Sequence, residues 1–297
     1  SFYNPVLAPF FFDKIYSELS KIKVMSIHDT ALKLLQSESS IGRFGDGEIS
    51  WMQGKKNNKN DFEVPSEKLS TRLKEVFDSD EENYLIGVND SIKSLNKLTS
   101  FPKKYWIMYF LKKHKTIKKI FSENKQYYNA NITRPYIDYN YRDIADDDFK
   151  ILKDVWKDKN ILIIEGNQTR LGANDDLFSN VRNIKRIECP SVNAFSVYDD
   201  ILNKSIEFLE NNEDYLTLIS LGPTATVLSY DLYMHGYRAI DIGHIDVEYE
   251  WYKMGVKEKV NIPYKYINEL PEGHSAEKLD DSSYTKEIVC HIIKKER

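Results

Sequence analysis

Three apolar runs limit what this chain can fold into. They are Asn160-Ile161-Leu162-Ile163-Ile164-Glu165-Gly166, Tyr215-Leu216-Thr217-Leu218-Ile219-Ser220-Leu221 and Arg238-Ala239-Ile240-Asp241-Ile242. A strand with one wet face alternates polar and apolar residues, and these do not. They therefore need cover on both faces, which points to a parallel sheet wrapped by helices. A further strand over residues 184–188 and helices over 197–210 and 225–235 fall between them. Strands alternating with helices predict an α/β class with a Rossmann-like, mostly parallel sheet flanked by helices. The first run ends in Gly166, and Gly222 and Gly243 directly follow the other two. The carboxyl ends of such strands are where α/β proteins hold ligands.

The first half reads as helices over 28–38, 67–77, 103–123 and 143–156, with a short apolar strand over 84–88. The 297 residues, 41% hydrophobic, suffice for a substantial core. No repeat, low-complexity segment or linker divides them, so one integrated domain is expected. A net charge of −4 argues against a general nucleic-acid binder. Cys189 and Cys290 make neither a disulfide framework nor a metal cluster, and a reducing cytoplasm is the default compartment. No run approaches the ~20 apolar residues of a membrane span. The aromatic stretch over residues 6–12 contains Pro9 and lacks a preceding basic region, so it is a poor signal peptide. It is expected to dock on the body of the protein or on a second copy in a homo-oligomer. The lysine-rich helix over 103–123 is read as a solvated face, with contact to an anionic inner membrane surface or polyanionic acceptor as the alternative.

Four stretches can carry chemistry. Ser40-Ile41-Gly42-Arg43-Phe44-Gly45-Asp46-Gly47-Glu48-Ile49 holds three of the chain's 12 glycines. Read as extended, it points Asp46 and Glu48 the same way, a hard-oxygen pair suited to Mn²⁺ or Mg²⁺. Gly45 and Gly47 would leave room for a ligand, while a plain polar turn is the rival reading. Ser220-Leu221-Gly222-Pro223-Thr224-Ala225 places proline at the start of a helix, whose free N–H groups suit a diphosphate. Ordinary strand-to-helix turn chemistry explains the same residues, and neither a GxGxxG fingerprint nor a P-loop is present. In Asp241-Ile242-Gly243-His244-Ile245-Asp246-Val247-Glu248, His244 can be a metal ligand and Asp246 or Glu248 a general base. The alternative there is a helix start with acids in its first turn. In the loop 165–176, Arg170 can neutralise a phosphate. Asp175 and Asp176 are a rival metal pair, but a helix capped by Asn174 is favoured.

A carboxylate pair for a divalent ion, together with a Rossmann-like half and a diphosphate-suited helix start, describes a nucleotide-sugar site. With these residues on the page, the chain resembles the bacterial GT-D-type glycosyltransferases, first catalogued as a domain of unknown function. The resemblance is carried by Arg43-Phe44-Gly45-Asp46-Gly47-Glu48, Glu165-Gly166 with Arg170 and Gly172, and Cys189-Pro190 with Asn193-Ala194-Phe195. Ser220 to Ala225 and Ile242 to Trp251 complete it. It spans residues 24–273, leaving an N-terminal aromatic extension of 1–23 and a tail of 274–297. It implies a metal-dependent transfer of a hexose from a UDP-sugar to a glycan or glycoprotein acceptor on a bacterial surface protein or polysaccharide. By that analogy Asp46 and Glu48 form an Asp-x-Glu motif beside metal and diphosphate. Arg43, Gly45, Gly47, Arg170, Gly222, Pro223 and Thr224 are the expected nucleotide-sugar contacts. A metal-dependent phosphohydrolase and a non-catalytic nucleotide-sugar sensor are the competing expectations.

Overall fold

A computed structural model describes residues 8–54, 62–267, 269–273, 276–277 and 281–293. The first half runs α1 (Ala8–Leu19), β1 (Lys23–Val24), α2 (Ile27–Gln36), β2 (Ser40–Phe44), α3 (Asp46–Met52), α4 (Glu67–Asp78), β3 (Tyr84–Val88), α5 (Ser100–Ile120) and β4 (Gln126–Asn129). The second runs α6 (Ile144–Trp156), β5 (Asn160–Gly166), β6 (Asn183–Cys189), α7 (Tyr198–Glu210), β7 (Tyr215–Ser220), α8 (Pro223–Met234), β8 (Ala239–Asp241), α9 (Ile245–Met254), α10 (Ser282–Glu287) and β9 (Ile288–His291). All nine strands of the described residues join one parallel sheet in the order β1-β4-β3-β2-β8-β7-β5-β6-β9.

The apolar runs form the sheet's centre. In β5, Leu162 and Ile164 enter the core on one face, and Ile161 and Ile163 enter the core on the other. Side chains alternate across a strand, so a continuous apolar run is the signature of two buried faces. Register Ile163↔Leu218 and Leu218↔Ile240 carries the same layer across β5, β7 and β8. Helix starts are set locally: Ser26 accepts from Asp29 N at 3.0 Å for α2, and Ser66 from Leu69 N at 3.1 Å for α4.

Several elements differ from the sequence reading. Residues 40–44 form a central strand, β2, because Ile41 and Phe44 are buried on opposite faces. Strands β1, β4 and β9 lie at or near the sheet edges, and β1 and β4 lack the aliphatic runs of the central strands. The expected helix capped by Asn174 is absent: residues 171–179 are turns, Asn174 has φ +62°, and Asp175 Oδ1 accepts from Leu177 N at 2.9 Å. Helix α1 packs on α5 of the same chain. The Phe12 and Tyr16 rings stack at 5.2 Å, and the Tyr16 hydroxyl donates to Ser91 O at 2.7 Å. Residues 6 and 7 of the aromatic stretch lie outside the described residues. Beyond residue 273, α10 and β9 add to the opposite edge, where β9 pairs with β6. Both cysteines are free, and among the described residues no helix is long and apolar enough to cross a membrane.

Candidate active site

A cleft of about 700 Å³ opens at the carboxyl ends of the strands. Gly45 after β2, Asn89 after β3, Asn131 after β4, Gly166 ending β5, Gly222 after β7 and His244 after β8 all line it. Parallel strands end together, so these six separate turns deliver polar backbone and side chains to one place.

Asp46 and Glu48 both line the cleft, but on a helix rather than a strand. Two residues apart on a helix lie roughly 200° apart around its axis, so the pair does not converge as an extended segment would make it. Glu48 instead turns back to cap its own helix, its Oε2 accepting from Gly45 N at 2.9 Å. Burial, together with the charge of Asp241, pushes its carboxyl up to about 7. The Asp46 carboxylate accepts from the Tyr105 hydroxyl. Gly47 lines the cleft and also makes room for an indole, since a Cβ there would stand 2.9 Å from the Trp51 ring.

Arg43 is engaged within the protein. Its Nε donates to Asp241 O at 3.0 Å, Nη2 to Asp241 Oδ1 at 3.0 Å, and Nη1 to Thr133 Oγ1 at 2.9 Å. Arg43 lines the cleft and at the same time braces β2, β8 and the turn after β4. Gly243, at φ +50°, makes that brace fit: a Cβ there would meet Arg43 Nη2 at 2.1 Å.

Gly222 reaches the cleft and has φ +53°, with the Phe62 ring 2.3 Å from where a Cβ would sit. Pro223 opens α8 as the spacing predicts. It does not line the cleft, and neither does Thr224, whose buried hydroxyl donates to Glu63 Oε2 at 3.2 Å. Arg170 is also outside the lining: its Nη1 donates to Tyr264 O at 2.9 Å and to Glu277 O. These three expected donor contacts are structural.

The bases expected at Asp246 and Glu248 are corrected too. Both are buried in the first turn of α9 and absent from the cleft lining. Asp246 pairs with the buried Lys265 ammonium and accepts from Gly172 N at 3.2 Å. Glu248 Oε1 accepts from Tyr136 N at 2.8 Å and Ile137 N at 2.7 Å, and burial pushes its carboxyl up to about 7. The helix-start reading accounts for both residues. His244 does line the cleft, and its buried Nδ1 has no hydrogen-bond partner. Burial first, then the neighbouring Arg134 and Arg43, lower its imidazole to about 4, leaving it neutral at ordinary pH. Among the described residues, no three His, Cys, Asp or Glu side chains form a ready-made metal cage.

The sequence reading missed two walls. Phe101, Tyr105 and Trp106 of α5 form an aromatic wall of the cleft, with the Tyr105 hydroxyl on Asp46. Tyr109 follows on the same helix, its buried hydroxyl without a hydrogen-bond partner and its acidity weakened first by burial, then by Asp46 and Glu48. Opposite charges come from Arg134, Lys259, Asp138 and Glu269, which stand on loops with no motif to mark them.

Comparison with known proteins agrees with this architecture. The family model for the glycosyltransferase GT-D fold matches residues 41–270. A probable glycosyl transferase Gly of Streptococcus gordonii is 36% identical over 93% of this chain and 39% of its own length. Glycosyltransferase GlyD of Streptococcus pneumoniae serotype 4 is 34% identical over 95% of this chain and 34% of its own. The chain therefore spans little more than a third of the curated relatives it matches. A solved structure described as domain of unknown function 1792 with a distinct glycosyltransferase fold superposes with TM-score 0.86 at 35% identity, covering 94% of this chain and 99% of that one. One described as a new glycosyltransferase from Streptococcus sanguinis gives TM-score 0.85 at 36% identity over 92% and 100%. A nine-stranded parallel sheet with its cleft at the strand ends, matched over most of its length, places this chain in the GT-D-fold glycosyltransferase family.

Proposed function

We propose that this chain transfers a hexose from a UDP-sugar to a glycan acceptor of a bacterial surface glycoprotein or polysaccharide, using Mn²⁺ or Mg²⁺. The observation that carries the reading is the composition of the cleft. Asp46 stands at the start of α3 against the aromatic face of α5, and neutral His244 stands at the end of β8, in one space of about 700 Å³. That volume falls within the range of small-molecule sites. Aromatic rings offer stacking faces to a base or a pyranose, and carboxylates face the polar groups that a sugar presents.

The donor set fits a hard divalent ion held by few protein groups. Asp46 supplies a carboxylate, His244 an imidazole nitrogen without a hydrogen-bond partner, and the remaining positions fall to substrate oxygens and water. Such an ion neutralises the charge that develops on a departing nucleoside diphosphate. Glu48 fixes where α3 begins and so where Asp46 points. Tyr105 orients the Asp46 carboxylate by donating its hydroxyl to it.

The test is release of UDP from UDP-glucose or UDP-galactose by the purified chain with Mn²⁺ and a glycan acceptor. Loss of release in Asp46→Asn supports the reading, and full retention removes Asp46 from the mechanism. Inorganic phosphate freed from simple phosphoesters would favour a phosphohydrolase instead. Donor binding with no turnover over any acceptor would favour a sensor.

A further inference from the structure

Of the two arginines that the sequence offers for a diphosphate, Arg170 lies outside the cleft lining, and Arg43 lines the cleft with its guanidinium bonded to Asp241 and Thr133. The cleft has other cations. Arg134 follows the turn at the end of β4, and Lys259 lies on the segment after α9. Both line the cleft and both side chains are part-exposed. Each faces a carboxylate at the rim. Arg134 Nη2 pairs with Glu269, and Lys259 Nζ stands 3.9 Å from Asp138 Oδ1, too far for a hydrogen bond.

We propose that Arg134 and Lys259 are the clamp for the donor's diphosphate, and that Glu269 and Asp138 hold their place until it binds. This rests on the reading of the cleft as a nucleotide-sugar site. Both cations line the same cleft, and like charges sharing a pocket are unfavourable unless an anion joins them. Their proximity is felt: burial chiefly lowers the Lys259 ammonium, and Arg134 lowers it further. Arg134, Lys259 and the His244 imidazole all line the one cleft. A planar guanidinium suits two oxygens of a diphosphate, while an ammonium acts as a point charge on a third. Neither cation sits on a regular helix or strand, so each can change partner without disturbing the sheet. On binding, two carboxylate–cation pairs are exchanged for two diphosphate–cation pairs. No covalent bond changes.

The alternative is that both ion pairs merely pin the loops. Calorimetric titration with UDP and with inorganic pyrophosphate, at constant Mn²⁺, separates the two. Arg134→Gln and Lys259→Gln each weaken UDP and pyrophosphate binding by roughly tenfold or more, the value of one charge-assisted hydrogen bond. Glu269→Gln, which frees Arg134, tightens pyrophosphate binding several-fold, and that gain cannot come from a variant that fails to fold. Unchanged affinity in both cation variants, or weaker binding in Glu269→Gln, overturns the clamp and leaves the nucleotide-sugar reading standing. Clamp-dependent pyrophosphate binding without any UDP binding supports the clamp and removes that reading. A parent chain that binds neither probe overturns both.

Discussion

Asp46 stands between solvent in the cleft and the phenol of Tyr105, and the two groups are separable by substitution. Asp46→Asn keeps the shape and removes the charge, so UDP release should fall at least about a hundredfold, as for loss of one preorganised electrostatic group. Its melting temperature should stay close to the parent's, because the carboxylate is not buried. Tyr105→Phe leaves the charge and removes the donor, so a smaller loss, roughly tenfold, is expected in kcat. Equal losses in both would mean that the phenol acts on substrate rather than through Asp46. Arg43 behaves differently. Its guanidinium joins Asp241, Thr133 and the backbone of two elements, and a lysine cannot reproduce that fork. Arg43→Lys should therefore lower stability by about 2 kcal/mol in urea unfolding while the folded fraction keeps the parent's affinity for UDP. A drop in affinity with unchanged stability would return Arg43 to the phosphate.

Elements decide which residues meet. Gly222 links β7 to α8 at φ +53° with Phe62 packed where a side chain would begin. Gly222→Ala should cost about 1–3 kcal/mol from backbone strain alone, with the displaced ring adding to it. A thermal melt within a degree of the parent would refute that constraint. The turn was legible because Ser220-Leu221-Gly222-Pro223 pairs a buried run with the residue that favours the first helical turn. Strand β2 was not. Gly42 and Arg43 interrupt its apolar pattern, and Ser40-Ile41-Gly42-Arg43-Phe44 becomes a strand through its neighbours β3 and β8 rather than through its own residues. Reading the whole stretch as extended carried the Asp-x-Glu pair past the strand's end, when the strand stops at Phe44 and a helix begins at Asp46. Arg134 and Lys259 were invisible for another reason. Loop cations acquire meaning only from what the fold brings opposite them.

At the scale of the molecule, the same design that aims polar groups into a cleft also takes acids in and behind it away from water. Burial pushes Glu48 and Glu248 up to about 7 and Asp175 up to about 6. A carboxyl whose folded pKa is raised holds its proton more tightly folded than unfolded. Its contribution to stability is full below its ordinary range near 4 and is lost as pH rises through the folded value. His244 works the other way: lowered to about 4, it contributes fully above its ordinary value of 6.5, and that contribution is lost as pH falls through 4. Three acids oppose one histidine, so stability should decline between about pH 5 and 7.5. Glu248→Gln isolates one of the three. The amide oxygen still accepts from Tyr136 and Ile137 N–H, and the titration disappears. Urea unfolding at pH 5, 6.5 and 8 should show the parent losing up to roughly 3 kcal/mol relative to the variant across that range. Because Glu248 lies outside the cleft lining, the variant should also retain the parent's UDP release. Parallel stability curves would contradict the buried acid, and loss of turnover in a folded variant would restore Glu248 to the chemistry.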